Sequence, residues 1–179
     1  MKYLLILLIL LITGCASNSN QEFPDAWAKL PKSNSNICPD VSGAYENIAT
    51  TIKGESGLNL AWLIIPSSKE VLELNSIEFT LDPLQESLRI TAHSENGAVV
   101  YSTLFKSDKD FFCEKGSLII ENSEFVNRDG VIAKNWRSYE FAKTADGLVM
   151  HYVDSATGLF FLVPVIGSHK YWYLYKQKS

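Results

Sequence analysis

Histidine, unpaired cysteine and clustered positive charge are all in short supply in this 179-residue chain, and each shortage removes a class of function. His93, His151 and His169 are the only histidines, each alone in its run, with no HExxH pattern and no pair at metal-ligand spacing, so no metal site is expected. A GxSxG elbow is missing, the serines are scattered through loop-like stretches, and no cysteine is left over to act as a nucleophile. The ten glycines do not gather into a phosphate-cradling loop. Asp108, Asp110 and Glu114 cluster in sequence but read as a solvated turn around Cys113, not as the paired carboxylates of a glycosidase. No run of Lys or Arg occurs, and acidic residues outnumber basic ones by 20 to 16. That balance excludes nucleic acid as a partner and any electrostatic grip on anionic headgroups. The expectation is a protein without cofactor that is not an enzyme.

What the chain has in plenty is concentrated at its two ends. The opening MKYLLILLILLITGC carries one cation, Lys2, then an apolar run from Tyr3 to Ile12, then Thr13 and Gly14 before Cys15. The run is half of the roughly 20 residues that cross a bilayer as a helix, so residues 1–14 read as a cleaved export signal. Ile12, Thr13, Gly14 and Cys15 resemble the lipobox of bacterial lipoprotein precursors: an apolar residue, two small ones and the cysteine. The resemblance implies diacylglyceryl transfer to the Cys15 thiol, cleavage after Gly14 and acylation, with palmitate for example, of the new amino terminus. Ala16 stands where many inner-membrane lipoproteins carry Asp, which points to the outer membrane and its periplasmic face. Cleavage removes Lys2 and leaves a formal charge of −5. The acyl chains, at about 0.8 kcal/mol per buried methylene, would hold the protein on its membrane with no spanning segment.

With Cys15 committed to lipid, Cys38 and Cys113 remain as an even pair in an oxidising compartment, and a disulfide between them is expected. Residues 15–36 are rich in Ser, Asn, Gln, Pro and Lys and read as the lipidated cysteine followed by a flexible tether. Within it, EFPDAWAKLP either stays free or forms one turn that docks Trp27 and Leu30, limited by Pro24 and Pro31. Residues 37–179 have the size of one domain, with no second boundary and no internal repeat.

Beyond residue 70 the pattern is short β-rich runs between turn residues, the mark of an antiparallel, mainly β domain of about eight strands. Ile77, Phe79 and Leu81 alternate with Glu78 and Thr80. Ser87–Ala92 and Ala98–Phe105 flank Asn96 and Gly97 as a hairpin. Phe111–Cys113, Gly116–Glu121 and Phe125–Asn127 follow, then a turn at Arg128, Asp129 and Gly130, and a return from Val131 to Phe141. Further turns are expected at Asp146 and Gly147 and again at Ala156 to Gly158, separating Leu148–Asp154 from Leu159–Val165. LNLAWLII, residues 58–65, fits either a buried strand or a short helix capped by Ser56, with the balance toward helix.

CPDVSGAY, residues 38–45, resembles the opening of other small bacterial envelope lipoproteins with a similar Cys, Pro, Ser, Gly, Tyr series. Gly43, Ala44 and Tyr45 also resemble the Gly, any residue, Trp start of lipocalins, with Tyr in place of Trp and no later Arg to pack on it. Read from the residues alone, Gly43 allows a tight turn into the first strand and Tyr45 is half-buried. In the last run His169, Tyr171, Tyr173 and Tyr175 share one strand face, and Lys170, Trp172, Leu174 and Lys176 the other. These aromatics either fill the core or, with Phe161, line a mouth for an apolar ligand. The candidate ligand residues are Phe161, Tyr171, Tyr173 and Tyr175. The whole reads as a single antiparallel domain, barrel-like or sandwich, with room for one short helix. Its expected role is a lipid-anchored binding or accessory module for a small apolar ligand or, alternatively, a structural lipoprotein that holds another envelope protein.

Overall fold

The computed structural model describes residues 15–31, 37–53, 56–65, 74–84, 86–161 and 163–178; residues 1–14, expected to be an export signal, and 32–36, within the expected tether, lie outside them. The described chain is mainly β, with twelve strands and one five-residue helix. The strands are β1 (Cys15–Asn20), β2 (Gly43–Glu46), β3 (Ile48–Thr50), β4 (Ser56–Asn59), β5 (Leu74–Asp82), β6 (Ser87–Ser94), β7 (Val99–Lys106), β8 (Phe112–Glu114), β9 (Ser117–Arg128), β10 (Val131–Thr144), β11 (Gly147–Phe160) and β12 (Val163–Lys176). The helix α1 is Leu60–Ile64. Hydrogen bonding groups them into a sheet in the order β4-β3-β12-β11-β10-β9-β8, with β1 also on β12, and a second sheet in the order β2-β5-β6-β7. Neither closes into a barrel, so of the two architectures expected the sandwich is the one adopted.

By compactness the chain divides into two units: residues 15–22 with Glu121–Ser138 and Tyr152–Tyr171, and the remainder. The larger unit is the sandwich. Its four-stranded sheet faces the ends of β9 to β12 that belong to this unit, and the alternation of β5 decides which side chains fill the gap. Phe79 lies 5.6 Å from Phe141 of β10 and 6.0 Å from Tyr45 of β2, centroid to centroid. Leu88, Ile90, Leu118, Leu148, Met150 and Tyr175 are fully buried as well. Each such side chain contributes about 1.5–3 kcal/mol relative to exposure.

The segment before β2 is fastened from several directions. Cys38 and Cys113 form the expected disulfide, with Cα atoms 5.0 Å apart, tying it to β8. Ser42 N–H donates to Asp40 Oδ1 at 2.9 Å, which holds the Asp40 carboxyl below its ordinary range. Ser42 Oγ accepts from Leu81 N–H at 3.0 Å, and Lys143 Nζ donates to the Ser42 carbonyl at 2.7 Å. Tyr45 is wholly buried, not half-buried, and its hydroxyl turns back to donate to the Val41 carbonyl at 2.8 Å. Gly43 is what lets the ring do so, since a Cβ there would lie 3.0 Å from the Tyr45 hydroxyl. The CPDVSGAY series is thus accounted for by packing and hydrogen bonding.

The stretch at 58–65 splits into the end of β4 and the helix α1. Asn59, not Ser56, occupies the position before α1 and makes no capping bond with its side chain. The cap comes from elsewhere in the chain: buried Asn47 accepts from Leu60 N–H through its carbonyl at 2.7 Å and from Ala61 N–H through Oδ1 at 2.9 Å. Its Nδ2 donates to the Leu74 carbonyl at 3.0 Å, so this buried amide has its partners. Two helix N–H groups that have no partner within the helix are satisfied by a residue 13 and 14 positions upstream of them.

The smaller unit contains the other halves of β9 to β12 with β1 added parallel to β12, from Cys15 opposite Val165 to Asn20 opposite Lys170. Residues 15–20, expected to be tether, are therefore strand. The next stretch is docked: Trp27 N–H closes a turn on the Pro24 carbonyl at 3.1 Å, and the Phe23 ring meets Trp172 edge-on at 5.0 Å. Gly116–Glu121 and Phe125–Asn127, expected as separate runs, are parts of one 12-residue strand. The turn expected at Ala156 to Gly158 does not exist, because β11 runs straight through to Phe160. Gly158 serves close approach instead: a Cβ there would overlap the Ile132 carbonyl and Ala133. The turn lies beyond β11, at Phe161.

Replacing Cys38 and Cys113 together by Ser is expected to lower unfolding free energy by about 4 kcal/mol on the chain-entropy view, read by urea denaturation. Without reductant, neither native thiol should react with an alkylating agent in an intact-mass experiment. Burial first, and the Asp40 charge second, push the Tyr45 hydroxyl up to about 12 from 10.0. Its contribution to stability is therefore complete below pH 10 and is lost as pH rises through about 12. Tyr45→Phe is expected to cost about 1–2 kcal/mol at neutral pH and to flatten the alkaline loss of stability, measured by denaturant midpoints between neutral and alkaline pH.

Candidate functional site

The polar chemistry is dispersed. No group of three or more His, Cys, Asp or Glu side chains capable of holding a metal ion occurs among the described residues. Each histidine instead has a local partner on its own sheet. His93 Nε2 is 3.1 Å from Glu78 Oε2; His151 Nδ1 is 3.1 Å from Glu140 Oε2, and its ring stacks on Trp172 at 4.2 Å; His169 Nδ1 is 3.0 Å from Ser19 Oγ.

Two concavities stand out, both open to solvent. One, about 750 Å³ and within the sandwich unit, is lined by Glu46, Asn47, Asn75, Glu95, Asn96 and Lys178 with Ile48 and Leu74. The second, about 520 Å³, belongs to the smaller unit, between Trp136 and Arg137 of β10, residues 121–123 of β9, and Val153 and Ser155 of β11. Lys134 Nζ sits 4.9 Å over the Trp136 ring, and Arg137 reaches Asp154 at 3.7 Å and Glu124 at 4.0 Å. Exposed pairs of this kind hold side chains in place more than they add stability.

The four aromatic residues proposed from sequence line neither concavity. Tyr175 is fully buried in the sandwich core, and Tyr173 beside it is half-buried. Tyr171 belongs to the smaller unit, its ring parallel to those of Tyr152 and His169 at 6.3 and 6.4 Å. Phe161 stands at the turn between β11 and β12, 68 % exposed.

Several of the exposed large apolar side chains gather at that turn. Asp129 and Gly130 link β9 to β10 with positive φ of 54° and 76°, the geometry of a two-residue type I′ hairpin. Phe161 N–H donates to the Gly130 carbonyl at 2.9 Å and its ring covers Gly130, so the two hairpin tips are joined side by side. Around them Phe125, Ile132, Leu159, Phe160 and Ile166 are all exposed. Of this group sequence reasoning singled out Phe161 alone. A Phe-Phe pair carries no turn chemistry, and Gly158 supplied a misleading turn signal three residues early; the Asp-Gly pair at 129–130 was the readable half of the tip.

Tyr175 allows a clean test of core against ligand site. Its hydroxyl is buried with no hydrogen-bond partner among the described residues, and burial, followed by the neighbouring Tyr173, drives its ionisation well above the ordinary range. Tyr175→Phe removes an unsatisfied group and keeps the ring. Thermal unfolding should show stability unchanged or raised by about 1 kcal/mol; a loss of 2 kcal/mol or more would mean that the hydroxyl has a partner.

No known protein family, no curated protein and no solved structure matches this chain.

Proposed function

We propose that this chain is a lipid-anchored, non-catalytic lipoprotein of the cell envelope, an accessory module held on the outer membrane at its periplasmic face by acylated Cys15. The observation that carries the reading is the place of Cys15 in the fold. Cys15 lies in β1 and pairs with Val165, so the lipobox cysteine belongs to a strand of the folded unit. An acyl chain there would be continuous with the folded unit instead of separated from it by a long linker. Ala16, the residue after the anchor, supports the outer-membrane assignment.

For what the module binds, the packing favours a protein partner over a small apolar molecule. The gap between the two sheets of the sandwich is filled by its own aromatics, and both concavities are open and lined by polar and apolar groups together. A site for a small apolar ligand is usually an enclosed, mainly apolar pocket. The groove at Trp136 and Arg137 offers an aromatic face and a guanidinium, the residue types enriched where proteins bind one another.

Fractionation of cells that express the wild type and Cys15→Ser, combined with palmitate labelling, tests the anchor. The wild type should incorporate label and sediment with membranes through a high-salt wash, and the variant should do neither. Unlabelled wild type released by salt would refute the reading.

A further inference from the structure

We propose that the joined hairpin tips of β9–β10 and β11–β12 are a second membrane contact, an apolar wedge seated in the interfacial layer of the bilayer that holds the acyl chains of Cys15. The inference rests on the lipid-anchor reading and adds to it the face by which the protein meets the membrane. Three independent observations point the same way.

The first is chain direction. β1 is parallel to β12, and Cys15 opposes Val165, the third residue of β12. From Cys15 the strand runs away from the tips, toward Asn20 opposite Lys170. The anchor therefore sits at the tip end, with Phe161 four positions beyond its partner along the chain. At about 3.3 Å per residue that separation is at most roughly 13 Å. An acylated cysteine lies at the level of the headgroups, so a tip that projects past it on the membrane side meets the bilayer.

The second is composition. Phe125, Ile132, Leu159, Phe160, Phe161 and Ile166 all lie within four residues of the two turns, and each is 39 % exposed or more. Single exposed apolar residues are ordinary on any surface, but a group of large ones on adjoining loops marks an interaction site. The depth of this band suits the layer of about 5–10 Å into which interfacial apolar faces sink.

The third is the backbone. Phe161 has a φ of 45°, the left-handed region that a bulky side chain seldom occupies, and the strain holds an exposed phenyl ring at the outermost position. Asn or Gly would take that φ with less strain. The acyl chains of Cys15 suffice for attachment, and an apolar tip beside the lipid would add orientation to it by fixing the tilt of the sheet.

The test uses the acylated full chain with one introduced thiol carrying an environment-sensitive nitrobenzoxadiazole dye, in Phe160→Cys and, as the comparison, Asn20→Cys at the opposite end of β1. Cys15 is blocked by lipid and Cys38 and Cys113 by their disulfide, so labelling is specific. In phosphatidylethanolamine–phosphatidylglycerol vesicles, the dye at 160 should shift its emission to the blue and be quenched by doxyl-labelled lipids, while the dye at 20 does neither. Protein that floats with the vesicles and shows water-like, unquenched emission at 160 overturns the wedge and leaves the anchor standing. Equal quenching at 160 and 20 also overturns it, since the sheet would then lie flat. Protein that does not float and has an unmodified Cys15 by mass refutes the anchor, and the wedge falls with it.

Discussion

The sandwich depends on one constraint: the space between its two sheets must be filled by rings that also hold the chain before β2 in place. Phe79 meets Tyr45 on one side and Phe141 on the other, so a single contact line links β2, β5 and β10. Tyr45 is the pivot, because its ring belongs to the core while its hydroxyl returns to Val41. Interiors are packed as densely as organic crystals, and a ring of this size cannot be lost without a void that its neighbours fill only in part. The disulfide, the Ser42 bonds and the glycine at 43 all serve to keep that ring where it is. An eight-residue stretch that resembles the opening of other envelope lipoproteins is thus the fastening of a core.

The same four strands, β9 to β12, meet different conditions in each unit. At the sandwich end their side chains are buried: Leu118, Ile119 and Ile120, then Ala142, then Leu148, Val149 and Met150, then Leu174 and Tyr175. Over residues 121–125 of β9 every side chain is exposed. Order there rests on ladder hydrogen bonds and cross-strand pairs such as Tyr152 with Tyr171 and Ser155 with Ser168, at 3.0 Å between hydroxyls. Where β9 passes beyond the short β8, its outer side is a sheet edge, and Glu121 and Glu124 place charge on it. Charge on an edge discourages strand addition from other molecules.

What was legible in the sequence followed the burial. Ile77, Phe79 and Leu81 announced β5 because one face of that strand is in the core, and Asn96-Gly97 and Asp129-Gly130 announced hairpins because Gly97, Asp129 and Gly130 take positive φ. The even cysteine pair announced the disulfide. Strand length was illegible in β9, β11 and β12, where neither face is buried for several residues and the period-two signal fades although the ladder continues. Asn47 was illegible as a helix cap, since nothing local distinguishes it and its partners are brought to it by the fold. Of the aromatic residues chosen as a candidate site, Tyr175 lies in the core and Phe161 at the tip; their spacing in sequence could not tell an inward ring from one held out by a strained turn.

The parallel pairing of β1 with β12 also has a mechanical meaning. Tension on the backbone at residue 15, directed past the hairpin tips, runs along β1 against its chain direction and loads the ladder from Cys15–Val165 to Asn20–Lys170 lengthwise. Such a load is shared by all the pairs at once, because no pair can yield before the strand slides as a whole. A pull across the ladder would open the same pairs one after another. The arrangement therefore resists force best in the one direction from which an acyl anchor would apply it, and a strand of only six residues serves as a shear joint.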